Sequence, residues 1–246
     1  SCTNLKEIVL PESITSIGET VFCLCTYLKS IEIPSKVEKL DEMIFSQSGL
    51  QSIKFRGDKL KRIEREAFFL CKISEFTVTK DVEFIDSTAF DHCTNLVNIK
   101  IDEQNNNFIY QNGLLMPSTK ESVLYVSTKY YENSTTFEIP EGVVNFTCNI
   151  AELKNITKLV IPASTTSINA RNLPVNISVV EIAEANEKYK VTEDCIYTKT
   201  SPETLIFCYS KAAEIEFQEP AEQIERFGLN GAINATRIKF NNETKK

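Results

Sequence analysis

Glycine is scarce in this chain, at 7 of 246 residues, and there is no tryptophan and only one histidine. Rossmann and P-loop domains spend glycine at fixed spacings where backbone approaches phosphate, and neither spacing is present. Gly-x-Ser-x-Gly and His-Glu-x-x-His are absent too, which removes the commonest hydrolase and zinc-protease signatures. Cations are in deficit, 27 Lys and Arg against 34 Asp and Glu, for a formal charge of -7. A nucleic acid or an anionic membrane surface demands a basic partner, so neither is expected. No apolar run approaches the roughly 20 residues that cross a bilayer, and no charged-then-apolar leader precedes Cys2. Membrane attachment is therefore expected only through segments outside these residues. What the chain does have is ordinary: 42% apolar and 25% charged residues, a composition that folds.

What stands out is recurrence. The phrase CTNLKEIVLP at 2–11 returns as CTNLVNIKID at 93–102. With L-x-x-I-x-I as a template, the leading apolar residue falls at Leu5, Leu28, Leu50, Ile73 and Leu96, at intervals of 23, 22, 23 and 23. The register returns at Ile156, Ile177 and Ala235, and in weaker form at Ser134 and Ala212, which makes ten units. Inside each phrase apolar residues alternate, as in SIEIP and KLVIP, the pattern of a short strand with one buried face. A second apolar pair follows, such as Val82 and Ile85, and then a segment such as EREAFFLC or DSTAFDHC that suits one helical turn. A unit this short cannot bury its own apolar face, but stacked units share a continuous core.

Two longer intervals carry matching extra text offset by 81 residues, NNNFIYQNGLLMPSTKESVLYV from Asn105 and NEKYKVTEDCIYTKTSPETLIFCY from Asn186. Each reads as a β-hairpin insertion, near 102–133 and 183–211, turning at PSTKES and KTSPET. The strand phrase C-x-x-L-x-x-I-x-I-P, the back segment I-x-x-x-A-F-x-x-C and the N-x-x-Y…G-L-L insertion resemble the BspA-like class of leucine-rich repeats. The resemblance implies an α/β repeat solenoid over 1–246 as a single domain: a right-handed leucine-rich-repeat superhelix, strand-rich, with short helical turns and two β-hairpin insertions. It also implies a cell-surface or secreted protein with a role in adhesion, and no enzymatic site or cofactor.

Cys2, Cys25, Ser48, Cys71 and Cys93 form a column with one residue per unit, unlike the paired cysteines of a zinc site. They read as small buried side chains. Cys195 and Cys208 differ: a turn at Ser201–Pro202 puts opposite each other residues whose numbers sum to 403, within disulfide range. A cross-strand disulfide is the expectation, against two unrelated thiols. His92 beside Cys93 is read as a repeat residue, because adjacent side chains do not face each other as a nucleophile and its base must. Six Asn-x-Ser/Thr sequons, at Asn133, Asn145, Asn155, Asn176, Asn234 and Asn242, point to a secretory route. Four of them share the corner before the strand with Asn4 and Asn95, where left-handed backbone and a local side-chain bond favour Asn.

If alternate strand residues point inward, the others form two exposed columns on the concave sheet. Among them Glu32, Lys54, Glu75, Thr77, Lys100, Lys158, Glu181 and Glu216 are candidate partner-binding residues. Ion pairs are expected between Glu32 and Lys54, Glu214 and Arg237, and Glu216 and Lys239, and Glu181, Glu214 and Glu216 form an acidic patch that could attract a cation. Neither column contains an aromatic residue, so anchors for a partner are sought in the insertions, at Phe108, Tyr110, Tyr125, Tyr130 and Tyr131 and at Tyr189, Tyr197, Phe207 and Tyr209. The resulting expectation is a non-catalytic module that presents a repeat surface to a protein or glycan, without metal, cofactor or nucleic acid. The alternative is an intracellular, cytoplasmic scaffold that only spaces other domains. Because the chain opens at a unit boundary without a polar cap, it is also expected to be a fragment of a longer array.

Overall fold

The computed structural model describes residues 2–217 and 221–240. The chain divides into two compact units, Ser1–Tyr131 and Glu132–Lys246. In the first, four-residue front strands alternate with two-residue flank strands: β1 (Ser30–Ile33), β2 (Lys39–Leu40), β3 (Ser52–Phe55), β4 (Arg62–Ile63), β5 (Glu75–Val78), β6 (Phe84–Ile85) and β7 (Asn98–Ile101). Front strands pair in parallel, β1 with β3 and β5 with β7, while the flank strands form a parallel β2-β4-β6 sheet. Each phrase thus supplies one rung. Alternation buries Ile31, Ile33, Phe76 and Val78, each stabilising the unit by about 1.5–3 kcal/mol relative to exposure. The first phrase, Leu5 to Leu10, joins no ladder, although Leu10 is buried.

The expected helical turns are absent: among the described residues the only helix is a single 3-10 turn at Ala170–Asn172. In their place three rungs of the first unit bend through two left-handed residues four apart, Thr20 and Leu24, Met43 and Gln47, Glu66 and Leu70, and the next keeps only His92. A right-handed helix cannot pass through such positions. Hydrogen bonds explain why they persist. The N–H groups of Met43, Phe45 and Gln47 donate to the next rung at Arg65, Ala67 and Phe69 (3.0, 2.9 and 2.7 Å), while those of Ile44, Ser46 and Ser48 bond back within their own rung (3.2, 3.1 and 2.9 Å). A segment of one turn lies below helix-nucleating length, and stacking offers its donors better partners.

Behind these turns Phe22, Phe45, Phe68 and Phe90 stack with centroids 5.5, 5.5 and 5.3 Å apart, and Tyr125 meets the last ring edge-on at 6.0 Å. The cysteine column is buried at Cys25, Cys71 and Cys93, whereas Cys2 is exposed. The thiols also bond: Cys71 and Cys93 donate to the carbonyls of Phe45 and Phe68, both at 3.0 Å. Gly49 is required by rung spacing, since a Cβ there would fall 2.0 Å from the carbonyl oxygen of Thr26.

The insertion of the first unit is a three-stranded antiparallel meander rather than a hairpin: β8 (Phe108–Gln111), β9 (Leu114–Pro117) and β10 (Tyr125–Val126). Its extra turn is Asn112–Gly113, with φ of 51° and 75°, the two-residue loop that Asn-Gly favours. The turn expected at PSTKES does join β9 to β10. Asn105, buried at 7% exposure, ties the meander to the preceding rung. Its amide donates to the carbonyls of Thr79 and Val82 (2.8 and 2.9 Å), and its Oδ1 accepts from the N–H groups of Asn107 and Phe108 (2.9 and 3.3 Å).

The second unit repeats the plan: β11 (Thr136–Glu138), β12 (Asn145–Phe146), β13 (Lys158–Ile161), β14 (Ser167–Ile168), β15 (Val179–Ile182), β16 (Tyr189–Thr192), β17 (Cys195–Thr198), β18 (Thr204–Cys208), β19 (Glu214–Phe217), β20 (Gln223–Ile224) and β21 (Arg237–Phe240). Front strands form parallel β11-β13-β15 and β19-β21 sheets, and β12 pairs with β14. The second insertion is again a meander, β16-β17-β18, turning first through the left-handed pair Glu193–Asp194. Its last strand then pairs in parallel with flank strand β20. Asn186, 1% exposed, repeats the part of Asn105, donating to the carbonyls of Pro162 and Thr165 (2.7 and 3.0 Å) and accepting from the N–H groups of Lys188 and Tyr189 (2.9 and 2.8 Å).

Candidate binding faces

The strand register sets out both outward columns within each sheet. Ser30 faces Ser52 and Glu32 faces Lys54; Glu75 faces Asn98 and Thr77 faces Lys100; Lys158 faces Thr136 and Val179; Glu216 faces Lys239. Glu32, Lys54, Glu75, Thr77, Lys100, Glu181 and Glu216 are exposed, and Lys158 is half-buried.

Of the three expected ion pairs only Glu216 with Lys239 forms, at 2.6 Å. Glu32 bonds instead to Arg56 at 3.1 Å, whose guanidinium fork also reaches Glu12 (3.1 Å) and the carbonyl of Leu10 (3.0 Å). Hydrogen bonds from Ser35 and Arg56 hold the Glu12 carboxyl below its ordinary value. Lys54 has no ion-pair partner among the described residues, and Glu214 and Arg237 stand opposite each other without a bridge. The acidic patch does not converge. Lysines take Glu181 (Lys158, 2.7 Å) and Glu216, and no group of three metal-capable side chains is present among the described residues.

The insertion aromatics are mostly core. Phe108, Tyr125, Tyr189, Tyr197, Phe207 and Tyr209 are buried, Tyr110 and Tyr131 are half-buried, and only Tyr130 is exposed, at 57%. They anchor the meanders: Tyr125 donates to the carbonyls of Leu96 (2.6 Å) and Cys93 (3.2 Å). Two exposed aromatics were missed by sequence reasoning: Tyr27, at 55%, in the corner position that Asn occupies in other rungs, and Phe240.

Those corner asparagines are not left-handed. Asn155, Asn176 and Asn234 instead donate their side-chain amides to the carbonyls of Glu132, Lys154 and Lys211 one rung earlier, at 2.7, 2.7 and 3.2 Å. Along with Asn133 and Asn145 they are exposed, and Asn242 lies outside the described residues. Cys195 and Cys208 face each other across β17 and β18, and Tyr197 pairs with Leu205 beyond a one-residue bulge. Both are free, buried thiols. A hydrogen bond to Cys208, helped by burial, holds the Cys195 proton and pushes that thiol well above its ordinary pKa. His92 meets the Phe69 ring edge-on at 5.3 Å, and burial pushes the neighbouring Cys93 thiol up, the reverse of nucleophile activation.

A strand and a bend per rung of 22 or 23 residues, stacked on a phenylalanine column, define a leucine-rich-repeat solenoid. The model of the BspA type leucine rich repeat region matches residues 1–114 and 61–176 in six copies, and the chain belongs to that family. A comparison with curated proteins finds no match. Among solved structures it is similar to a leucine rich cell surface protein of Faecalibacterium prausnitzii (TM-score 0.70, 16% identity, 97% of this chain and 66% of that one). It is similar too to a leucine-rich repeat protein of Eubacterium ventriosum (0.64, 16%, 92% and 70%) and to the pneumococcal vaccine antigen PcpA (0.66, 18%, 93% and 54%). The chain spans 66% of the first of these and about half of PcpA, and at such identities the likeness is one of fold.

Proposed function

We propose that the chain is a non-catalytic binding module of a cell-surface or secreted protein, holding a protein or glycan against its front strands. One observation carries this: side chains of both signs stand exposed in fixed register on the parallel front sheets, and Lys54 among them has no ion-pair partner within the described residues. A rigid array loses little entropy when it binds. Description of the Faecalibacterium protein as a cell surface protein, together with the five exposed sequons, supports the location. The test is binding of the whole chain to panels of matrix proteins and cell-surface glycans, comparing Lys54→Glu, Glu75→Lys and Tyr130→Ala. If every signal survives all three changes, neither the front face nor the meander binds.

A second reading, an intracellular scaffold, is favoured by the eight free thiols, since disulfides dominate in oxidising compartments. Protein isolated from its native cells unglycosylated and fully reduced would select the scaffold.

A further inference from the structure

The second unit contains a cavity of about 550 Å³ where its meander interrupts the flank sheet. Flank strand β14 pairs with β12 on one side only. On the cavity side stands Tyr189 of β16, whose hydroxyl donates to the carbonyl of Thr166 at 2.9 Å and blocks a further strand from docking there. Side chains from the 3-10 turn, the meander and the bend after β20 close the remaining walls, among them Arg171, Lys188, Arg226 and Phe227.

Three features of this lining point the same way. Its charged residues are Arg171, Lys188 and Arg226 against Glu225, three cations to one carboxylate, so the lining carries a net +2 within a chain of -7. None of the three cationic groups has a carboxylate partner among the described residues, whereas Arg56, Lys61 and Arg65 all do. Both guanidinium groups lie over one ring, with Cζ of Arg226 4.9 Å and Cζ of Arg171 5.6 Å from the centroid of Phe227. Phe227 occupies the left-handed bend position, φ 69°, that Met43 and Glu66 hold in the first unit. Two like charges gathered around one aromatic ring, with no carboxylate bonded to either, are a receptor for an anion. Thr166 and Ser167 bring hydroxyls to the same space, while those of Thr198 and Thr204, also in the lining, donate to carbonyls within the meander.

We infer that this cavity binds an acidic saccharide, a sugar ring bearing a carboxylate or sulfate. The planar guanidinium groups take the anionic group in bidentate fashion, held in place by the Phe227 ring beneath them, and the hydroxyls of the wall suit a polyol. An acidic peptide would satisfy the charge but leave the wall hydroxyls without a matching partner. The site is separate from the front strands and stands or falls independently of them.

The test is calorimetric titration of the whole chain with glucuronic acid, with glucose as its neutral counterpart, and with a tetrasaccharide ending in glucuronic acid. Inorganic sulfate and a glutamate-rich peptide complete the set. Glucuronic acid should bind at least about tenfold more tightly than glucose, the equivalent of one charge-assisted contact. Arg171→Gln and Arg226→Gln, made singly and checked for an unchanged melting temperature, should each weaken it by a similar factor, while Lys54→Glu leaves it alone. Tighter binding of the tetrasaccharide makes a glycan terminus the source, and equal binding makes it the free sugar; both support the site. Equal binding of glucose, sulfate binding as tightly as the sugar, preference for the peptide, no binding, or indifference to both arginine changes overturns it.

Discussion

Replacing Asn186 with Ala removes four hydrogen bonds from a nearly waterless position. Two are donated to the carbonyls of Pro162 and Thr165, and two are accepted from the amides of Lys188 and Tyr189. At a net value near 1 kcal/mol each, the loss is about 4 kcal/mol, a large share of a domain's stability. Asn105→Ala breaks the equivalent set, but the carbonyl of Val82 keeps a second donor, the amide of Asn107 at 2.9 Å. One bond is therefore backed up, and the expected loss falls to about 3 kcal/mol. The order, Asn186→Ala worse than Asn105→Ala by about 1 kcal/mol, is the sharper expectation because systematic error cancels. Hydrogen exchange at the amides of Leu124 and Tyr209, which bond within the meanders and not to either asparagine, reads each meander separately. Losses below about 1 kcal/mol in both, the range of an exposed substitution, or a reversed order, would refute the assignment of these asparagines as the ties between meander and rung.

Gly49→Ala forces a methyl against the Thr26 carbonyl and should destabilise the first unit by about 1–3 kcal/mol in urea titration, with Gly18→Ala, whose Cβ meets nothing closer than 4.0 Å, nearly neutral. Burial pushes the phenols of Tyr189 and Tyr209 up to about 12, above the unfolded value near 10. The folded state keeps these protons where the unfolded chain releases them, so stability is full below pH 10 and falls as pH rises toward 12. Absorbance titration at 295 nm should place Tyr189 and Tyr209 among the late tyrosines, and their titration with the exposed ones would contradict the burial. Alkylation of the native protein should reach Cys2 first and Cys23 next, leaving Cys71, pushed by burial to about 11, unmodified. Mild air oxidation should join Cys195 to Cys208, the two thiol hydrogens and two electrons passing to oxygen, and stabilise the second unit by about 3 kcal/mol for a loop of this length. Peptide mapping without reductant that still finds both thiols would end that expectation.

The strand phrases were legible because one-face burial imposes a period of two, and nine of the ten form ladders in the expected register. The bends were not. EREAFFLC has the composition of a helical turn, and only acceptors on the next rung, beyond any local window, hold Glu66 and Leu70 left-handed: the Thr88 hydroxyl for Glu66 and the Asp91 carbonyl for Leu70. The Asn112–Gly113 turn could have been read from its dipeptide, but Glu193–Asp194, its counterpart, carries no such signal. Asn105 and Asn186 opened the two matching insertions in plain sight, yet burial of an amide is a property of the packed state. The cavity was beyond sequence reasoning altogether, since Arg171, Lys188 and Arg226 are far apart in the chain and meet only where β14 lacks a neighbour.

The corner amides impose an order of events. Once a rung has stacked, the nitrogen of Asn155 or Asn176 is engaged by the carbonyl of the rung before it. Sugar added to that nitrogen would have to be attached before the rung stacks, or after it at the cost of that bond, about 1 kcal/mol. Asn133 and Asn145, for which no such bond to an earlier rung is seen, keep their window open longer. Occupancy along the array would then be a record of how fast each rung closed, written by folding kinetics rather than by surface area.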